Sequence, residues 1–472
     1  MSESMPRGLL FALARVTLEL RSPLTIGTGR GNDLVDAICV TDANGLPTVP
    51  GSSLAGVLRA AVSATDEHEA RRLFGHQERL SGATSLVEVS WAHAHNAGDR
   101  PVSAAPRTHA AGADPVLAFL QAGIVRDHVR IDELGVVDKA GKFDQGLVPK
   151  GARFTFELIV HGTSAERARS DLERLLALLA AGGVRLGAKS RAGFGEIELV
   201  RALVRTFDLT RPADRTAWLA LPRALSSDVA GLENWGPAKS GAAPGIALTL
   251  VARDLWMFGT GRPVRDEHRL KVGKDEKAHD KVPVTERSIR WNGGRGTVLS
   301  DAEGEVLVPA SGVKGALRHR ALFHARRRAG AWAGDAPNPA PDEAIDTLFG
   351  SAKEEDERRG RGCVLLSEVR LAPAHAPSTP LQHVSIDRFT QAPMDGLLFS
   401  EAPVSGGSFT LRLSLTSKAP AGLGIEALLD AIEDLARGRL ALGAGSSRGH
   451  GYFEAAPAPP RTVLRTDLGL EP

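Results

Sequence analysis

The chain is short of several things, and each shortage excludes a class of protein. Its two cysteines, Cys39 and Cys363, lie far apart without metal-ligand spacing. That excludes a disulfide-built scaffold and a cysteine zinc site and fits a reducing, intracellular setting. No apolar run approaches the roughly 18 residues a spanning helix needs, so no membrane partner is expected. Met1 to Leu20 alternates polar and apolar residues and carries Arg7, Arg15 and Glu19, a strand pattern and not a signal peptide. Aromatics make up 5% with a single Tyr, too few for the base-stacking platforms that read single strands. Net charge is only +2, so the placement of charge matters more than its sum. Walker, dinucleotide-binding, Gly-x-Ser-x-Gly and zincin motifs are absent.

What is present is a long-period repeat. Gly27-Thr28-Gly29-Arg30 returns as Gly259-Thr260-Gly261-Arg262, and Pro50-Gly51-Ser52-Ser53-Leu54 as Pro309-Ala310-Ser311-Gly312-Val313. Leu73-Phe74-Gly75 returns as Leu348-Phe349-Gly350, and His128-Val129-Arg130-Ile131-Asp132 as His383-Val384-Ser385-Ile386-Asp387. A glycine-rich segment, Leu186 to Gly195, returns as Leu442 to Gly451. Five matches in one order indicate a duplicated unit of roughly 200 residues, within the usual domain range. The expected layout is a first domain over 8–205, a linker over 206–243, a second domain over 244–456 and a tail over 457–472. Offsets between the copies rise from 232 to 259 after the first glycine loop, assigning 27 extra residues to the second copy there.

Each copy shows the same order of patterns. A strand (Val16 to Leu20; Leu248 to Val251) leads through a glycine loop to a helix with Leu54, Val57, Leu58 and Ala61 on one face and Ser52 or Ser53 as its expected N-cap. A strictly alternating strand follows (Phe154, Phe156, Leu158; Phe409, Leu411, Leu413, Leu415). A second helix then carries Leu172, Leu175, Leu176 and Leu179, or Leu428, Leu429, Ile432 and Leu435, ahead of the glycine-rich segment and a last strand. This is the βαββαβ order of a ferredoxin-like domain, giving an α+β chain of two such domains in tandem.

The glycine-rich segments carry the strongest chemical signal. Gly193 and Gly195, or Gly449 and Gly451, allow close backbone approach to a phosphate. Ser190, Ser446 and Ser447 offer hydroxyls, and Lys189, Arg191 and Arg448 offer charge. The same residues also suit a tight turn whose glycines supply positive φ and whose bases are merely solvated, and both readings stand. Gly51, Ser52 and Ser53 with Arg59, and Ser311 with Lys314 and Arg318, open helices where an anion can bind, or simply cap them. Arg30 and Arg262 close the repeated Gly-Thr-Gly-Arg motif. Asp33 and Asp36 in the first glycine loop suit either metal-assisted chemistry or turn formation. His93 and His95 have no ligand set, so no metal cluster is assigned.

Taken together, Leu24 to Gly27, Val35 to Asp42, Leu46 to Gly56, Val148 to Phe154 and the terminal glycine-rich loop resemble the RAMP superfamily of CRISPR-associated proteins. The match is to the repeated backbone subunit of type III effector complexes, here as a double fusion. The resemblance implies a modified ferredoxin-like palm stacked on other RAMP-type effector subunits along a guide RNA, with a protruding β-hairpin thumb per domain. Thumbs are expected near Asp132 to Leu147 and Asp387 to Leu398. It further implies a prokaryotic, cytoplasmic protein that cuts complementary target RNA with Mg2+ or Mn2+ through an Asp ahead of the Pro-Gly-Ser-Ser segment. Counting back six residues from Asp42 gives Asp36; the same count from Asp301 gives Arg295, leaving Asp280 and Asp266 as substitutes. Thr25 stands where the family often has His. Two rivals remain: an inactive backbone that only binds guide RNA, and a RAMP-type nuclease that processes precursor guide RNA with a His acid or base.

Overall fold

A computed structural model describes residues 8–27, 29, 39–78, 81–102, 113–131, 137–222, 224–225, 231–236, 245–260, 279–332, 338–351, 360–416 and 421–470, with backbone alone at 138–140. Each copy is built on an antiparallel sheet. In the first, β1 (Leu10–Leu20) lies between β2 (Arg153–His161) and β3 (Ile197–Asp208), and Val87–Val89 and Ala92–Ala94 pair along the far side of β2. In the second, β4 (Ile246–Ala252) lies between β5 (Ser408–Leu415) and β6 (Tyr452–Glu454), with Val364–Leu366 beyond β5. Last, first, third, second is the ferredoxin-like strand order, so both copies are modified ferredoxin-like domains.

The helices form where the apolar spacing falls. α1 (Gly51–Ser63) and α2 (Ala165–Ala180) serve the first copy, α3 (Ala310–Arg328) and α4 (Leu423–Ala436) the second. Ser164 caps α2 by accepting from the Arg167 amide, and Leu172, Leu175, Leu176 and Leu179 are buried beneath the sheet. α1 departs from expectation at its start. The cap is Pro50 and neither Ser52 nor Ser53 makes a capping bond; a proline with φ near −60° already sets the entry angle, and the serines fall inside the first turn.

Each copy has its own main apolar core, a smaller cluster of Phe11, Leu13 and Phe207 lies apart from them, and Ile289, Trp291 and Val298 of the second copy pack into the first core. The expected linker is partly structured. Pro212–Leu219 is helical, Glu233–Trp235 adds a strand beside β3, and Trp218 packs on Phe11 and Phe207. This layer covers the outer face of the first sheet, so Arg15 and Thr17 of β1 are buried while β4 alternates buried and exposed. In the expected tail, the helix Arg461–Asp467 inserts Leu464 into the second core.

Each domain raises a long two-stranded hairpin ahead of its third sheet strand. The first pairs Ile124–Ile131 with Val137–Leu147 and the second Leu381–Ile386 with Pro393–Glu401. Both start earlier than the sequence pattern suggests, because the repeated His-Val-x-Ile is itself the outgoing strand.

Candidate nucleic-acid interface

The two glycine loops have one backbone. Gly187, Lys189, Gly193 and Gly195 are left-handed in the first, as are Gly443, Gly445, Gly449 and Gly451 in the second. A Cβ on Gly187 would lie 2.2 Å from the Thr25 carbonyl, and one on Gly443 2.4 Å from that of Met257. Glycine is therefore required at these places to make the turn, whatever else the loop does. Lys189 holds the left-handed position that Gly445 holds in the other copy, a conformation costing a non-glycine residue roughly 1–2 kcal/mol. Its ammonium stands 3.9 Å over the Phe143 ring.

The second part of the first loop, from Ser190 to Gly195, is turned away from solvent. It packs against the start of α3, where a Cβ on Gly193 would come within 2.4 Å of the Ala310 side chain. Arg191 donates to the Gly362 carbonyl, and Arg185 donates to the carbonyls of Ser190 and Leu366 at 2.8 Å each. Sequence-predicted residues of the two copies thus meet in one place: Ser190, Arg191 and Gly193 from the first, and Ser311, Lys314 and Arg318 on α3 from the second. The seam is electropositive. Burial, with the charges of Arg191 and Arg318, pushes the Lys314 ammonium down to about 8, and burial pushes Lys189 down to about 8. Burial and Arg361 hold Arg191 below its ordinary value. Cations crowded this way gain from an anion that neutralises them.

Deeper in the seam the charges are paired. Arg126, on the first hairpin, donates to both Glu286 oxygens at 2.7 and 2.8 Å and to Glu368 at 2.6 Å. Arg370 reaches the same two carboxylates, and Lys150 binds Glu305 at 3.2 Å. Opposed by desolvation, Arg126 and Arg370 still hold the Glu286 carboxyl far below the usual carboxylate range. Trp291, on a hairpin of Ile289–Asn292 and Arg295–Val298, donates to the Gly151 carbonyl at 2.7 Å with Arg153 above its ring.

The hairpin roots repeat a motif. His128 stacks on Phe143 and His383 on Phe399, with ring centroids 4.9 and 4.8 Å apart. Lys189 covers Phe143; Lys281 covers Phe399. Burial, Lys189 and Arg126 push His128 down to about 4. Beyond the roots, Val129, Ile131, Val137, Val384, Ile386, Phe389 and Leu398 are exposed, apolar surface of a kind that marks a contact site.

Ladder registers correct one sequence count. Gly27 pairs with Cys39 and Gly259 with Pro283, while Thr41 pairs with Pro47 and Thr285 with Val306. Asp42 therefore corresponds to Glu286 and not to Asp301. Six residues before Glu286 stands Asp280, so Arg295 is not the counterpart of Asp36. Only 12 extra residues precede Pro283; the other 15 form the segment holding the Trp291 hairpin. Asp280 lies at the root of the second hairpin, accepting from the Ser400 amide at 2.7 Å and from its hydroxyl. These hydrogen bonds lower its carboxyl. Next to it, fully buried Glu401 accepts from His383 at 2.9 Å and from Arg448 at 2.8 Å.

Asp33, Asp36, Asp266, Arg30 and Arg262 lie outside the described residues. Gly51, Ser52, Ser53 and Arg59 sit on α1, away from the seam, while Ser446, Ser447, Gly449 and Gly451 lie on the second loop, where no described residue stands within 4 Å of a Cβ on Gly449. Sequence reasoning missed Arg126, Arg185, Lys281 and Glu401. No motif marks them; only Glu401 carries a signal, as an acid that ends the apolar run Leu397-Leu398-Phe399. Among the described residues, no group of three or more His, Cys, Asp or Glu side chains gathers to hold a metal ion, and no helix is long and apolar enough to cross a membrane. The family model of the RAMP superfamily matches residues 17–198 and 290–454. No curated protein matches the chain.

Proposed function

We propose, from the premise that this chain belongs to the RAMP superfamily of CRISPR-associated RNA-binding proteins, that it is a guide-RNA-binding backbone subunit of a type III effector. In this reading the guide backbone crosses the seam at Ser190, Arg191, Ser311 and Lys314, and the hairpins project their apolar tips toward the paired target. Each domain cuts the bound target RNA once, the first through Asp36 and the second through Asp280.

The observation that carries the reading is the joint presence of a cationic seam and of Asp280 at the second hairpin root, at the register that Asp36 holds by count. A single anchored carboxylate that meets a target phosphate suits Mg2+ or Mn2+. These ions bind through one or two carboxylates, phosphate oxygens and several waters instead of a closed protein cage. A cation held there by Asp280 would supply charge against the scissile phosphate. The chain's own part is to fix that carboxylate through Ser400 and to hold His383 and Arg448 against Glu401 facing the same root. Lys281 adds a positive charge over Phe399.

The test uses the assembled effector with guide and complementary RNA. Asp36→Ala and Asp280→Ala should each remove one cut, slowing it by about 10²–10⁴-fold, the range for losing a group that acts on the reacting atoms, with target affinity unchanged. If the wild-type complex with Mg2+ or Mn2+ leaves paired RNA whole, the inactive-backbone reading replaces this one.

A further inference from the structure

One amine in the seam stands among cations without a carboxylate of its own. Lys314 lies half-buried on α3, with Arg191 of the first copy and Arg318 on the next turn as its charged neighbours, and with Arg361 acting on Arg191 in turn. The acid of the group, Asp346 on the helix Ala340–Phe349, is committed to Arg318 at 2.6 Å. Among the described residues no carboxylate bonds Lys314. Cys363, also beside it, turns its Sγ to the Thr347 carbonyl at 3.7 Å. Arg185, across the seam, is engaged by the carbonyls of Ser190 and Leu366. Ala55 holds the matching place on α1 at the 259 offset, so this lysine belongs to the seam and not to the repeat.

A lysine crowded by cations and drawn out of water gives up its proton more readily, and the free amine is a nucleophile. Burial, with Arg191 and Arg318, brings Lys314 down to about 8. At pH 7.5 about a quarter of it is then free amine, against roughly 0.1% for a lysine at the ordinary value near 10.4. Weaker bases also attack more slowly; with a Brønsted slope of about 0.5, as for thiolates, a net gain of about tenfold in rate remains. The same neighbours favour an anion. Arg191 uses its Nε on the Gly362 carbonyl and Arg318 one Nη on Asp346, which leaves further N–H groups on each for phosphate oxygens. An amine beside two guanidiniums suits a reagent whose electrophilic carbon is joined to a phosphate.

We infer that Lys314 is a modification site for acyl phosphates, with the donor's phosphate held by Arg191 and Arg318 and its acyl group passed to the Lys314 Nζ. The neutral amine attacks the acyl carbon. The N–C bond forms, the C–O bond to phosphate breaks, and the surplus amine proton leaves with the phosphate as hydrogen phosphate. The product is an amide, so the seam loses one positive charge. The modification stands apart from RNA binding; only its consequence for a guide, the loss of one phosphate contact, rests on the reading above.

The test is incubation of the RNA-free full chain with acetyl phosphate from about pH 6.5 to 9.5, spanning the free-amine range, with site occupancy read by peptide mass spectrometry. A blocked lysine peptide in the same tube is the reference. At about pH 7.5 Lys314 should acylate about tenfold faster than the peptide. Its rate should level off between about pH 8 and 9, where the amine is free, while that of the peptide climbs throughout. Inorganic phosphate should slow Lys314 and leave the peptide unchanged, because it competes for the two arginines. Arg191→Gln should slow Lys314 several-fold; if that change disturbs the seam, phosphate competition on the wild type tests the same contact. Acylation of Lys314 no faster than the peptide, a rate that rises with the peptide's across the whole range, or phosphate slowing both alike would each overturn the inference.

Discussion

Gly193 and Gly449 sit at the same point of the same turn, at φ 98° and 86°, yet their surroundings are opposite. The first is pressed against Ala310 of the other domain, beside Arg191 and Arg185, whose hydrogen bonds cross the seam. No described residue stands within 4 Å of a Cβ on the second. The hairpin roots differ likewise, with buried Arg126 crossing to Glu286 and Glu368 in the first and Leu381 in its place in the second. One fold presented twice therefore meets two settings: the first hairpin root is tied to the other domain through Arg126, Glu286 and Glu368, while the charges of the second root are paired within its own domain, His383 and Arg448 on Glu401.

The sharpest way to break the comparison is at the buried charges. Arg126→Met leaves Glu286 and Glu368 facing Arg370 alone, and losing one partner of a buried network costs about 3–5 kcal/mol. Leu381→Met, at the matching place, exchanges volumes closely and should cost less than about 1.5 kcal/mol. Denaturant unfolding of both variants measures the difference; equal losses would mean the seam is not held by its charges. The pH profile carries the same information. The Glu286 carboxyl is lowered in the folded chain, so its contribution is complete above the ordinary Glu value near 4.5 and fades as pH falls below it. Arg126→Met should flatten that acid limb.

Much of the fold was legible because its signals are local. The alternation of Phe154, Phe156 and Leu158 and the helical spacing of Leu172, Leu175, Leu176 and Leu179 each answer to one period, and all seven are buried. The cation-rich residues of the glycine loop and of α3 were also legible as sites, though not as one site, because nothing in a sequence says that Gly193 will touch Ala310. The seam network was invisible for the same reason: Arg126, Glu286, Glu368 and Arg370 are scattered residues without a motif, brought together by tertiary packing. The count from Asp301 failed because the insertion is split, with 12 residues before Pro283 and 15 after Glu286. A single offset hides such a split, and only strand registers reveal it.

The loops themselves give a smaller effect. Gly193→Ala and Gly449→Ala both place a side chain at positive φ, costing roughly 1–2 kcal/mol. Gly193→Ala adds a clash with Ala310 at 2.4 Å in a packed seam, where overpacking costs typically 1–3 kcal/mol more. The destabilisation of Gly193→Ala should therefore exceed that of Gly449→Ala by about that amount in thermal unfolding. A matching pair of losses would show that the first loop is as open as the second.

The gentlest test reads the seam by proton linkage to RNA. Lys189 and Lys314 titrate at about 8 in the free chain because burial disfavours their charged forms, reinforced at Lys314 by Arg191 and Arg318. An RNA phosphate beside them favours the protonated forms, so both values rise on binding. The sign follows directly: affinity is level while both lysines are already protonated in the free chain. It falls as pH climbs through about 8, where binding must pay for proton uptake, by at most tenfold per pH unit for each lysine. Lys189→Gln combined with Lys314→Gln should remove that slope and reduce the salt dependence of affinity by about two phosphate contacts. Arg448→Gln, on the second loop, should leave the pH slope intact, because Arg448 bonds Glu401 at the other hairpin root and the change removes neither seam lysine. Fluorescence anisotropy with one short RNA from pH 6.5 to 9.5 separates the cases. A slope that survives the double lysine change, or one that vanishes with Arg448, would move the RNA track from the seam to the open loop.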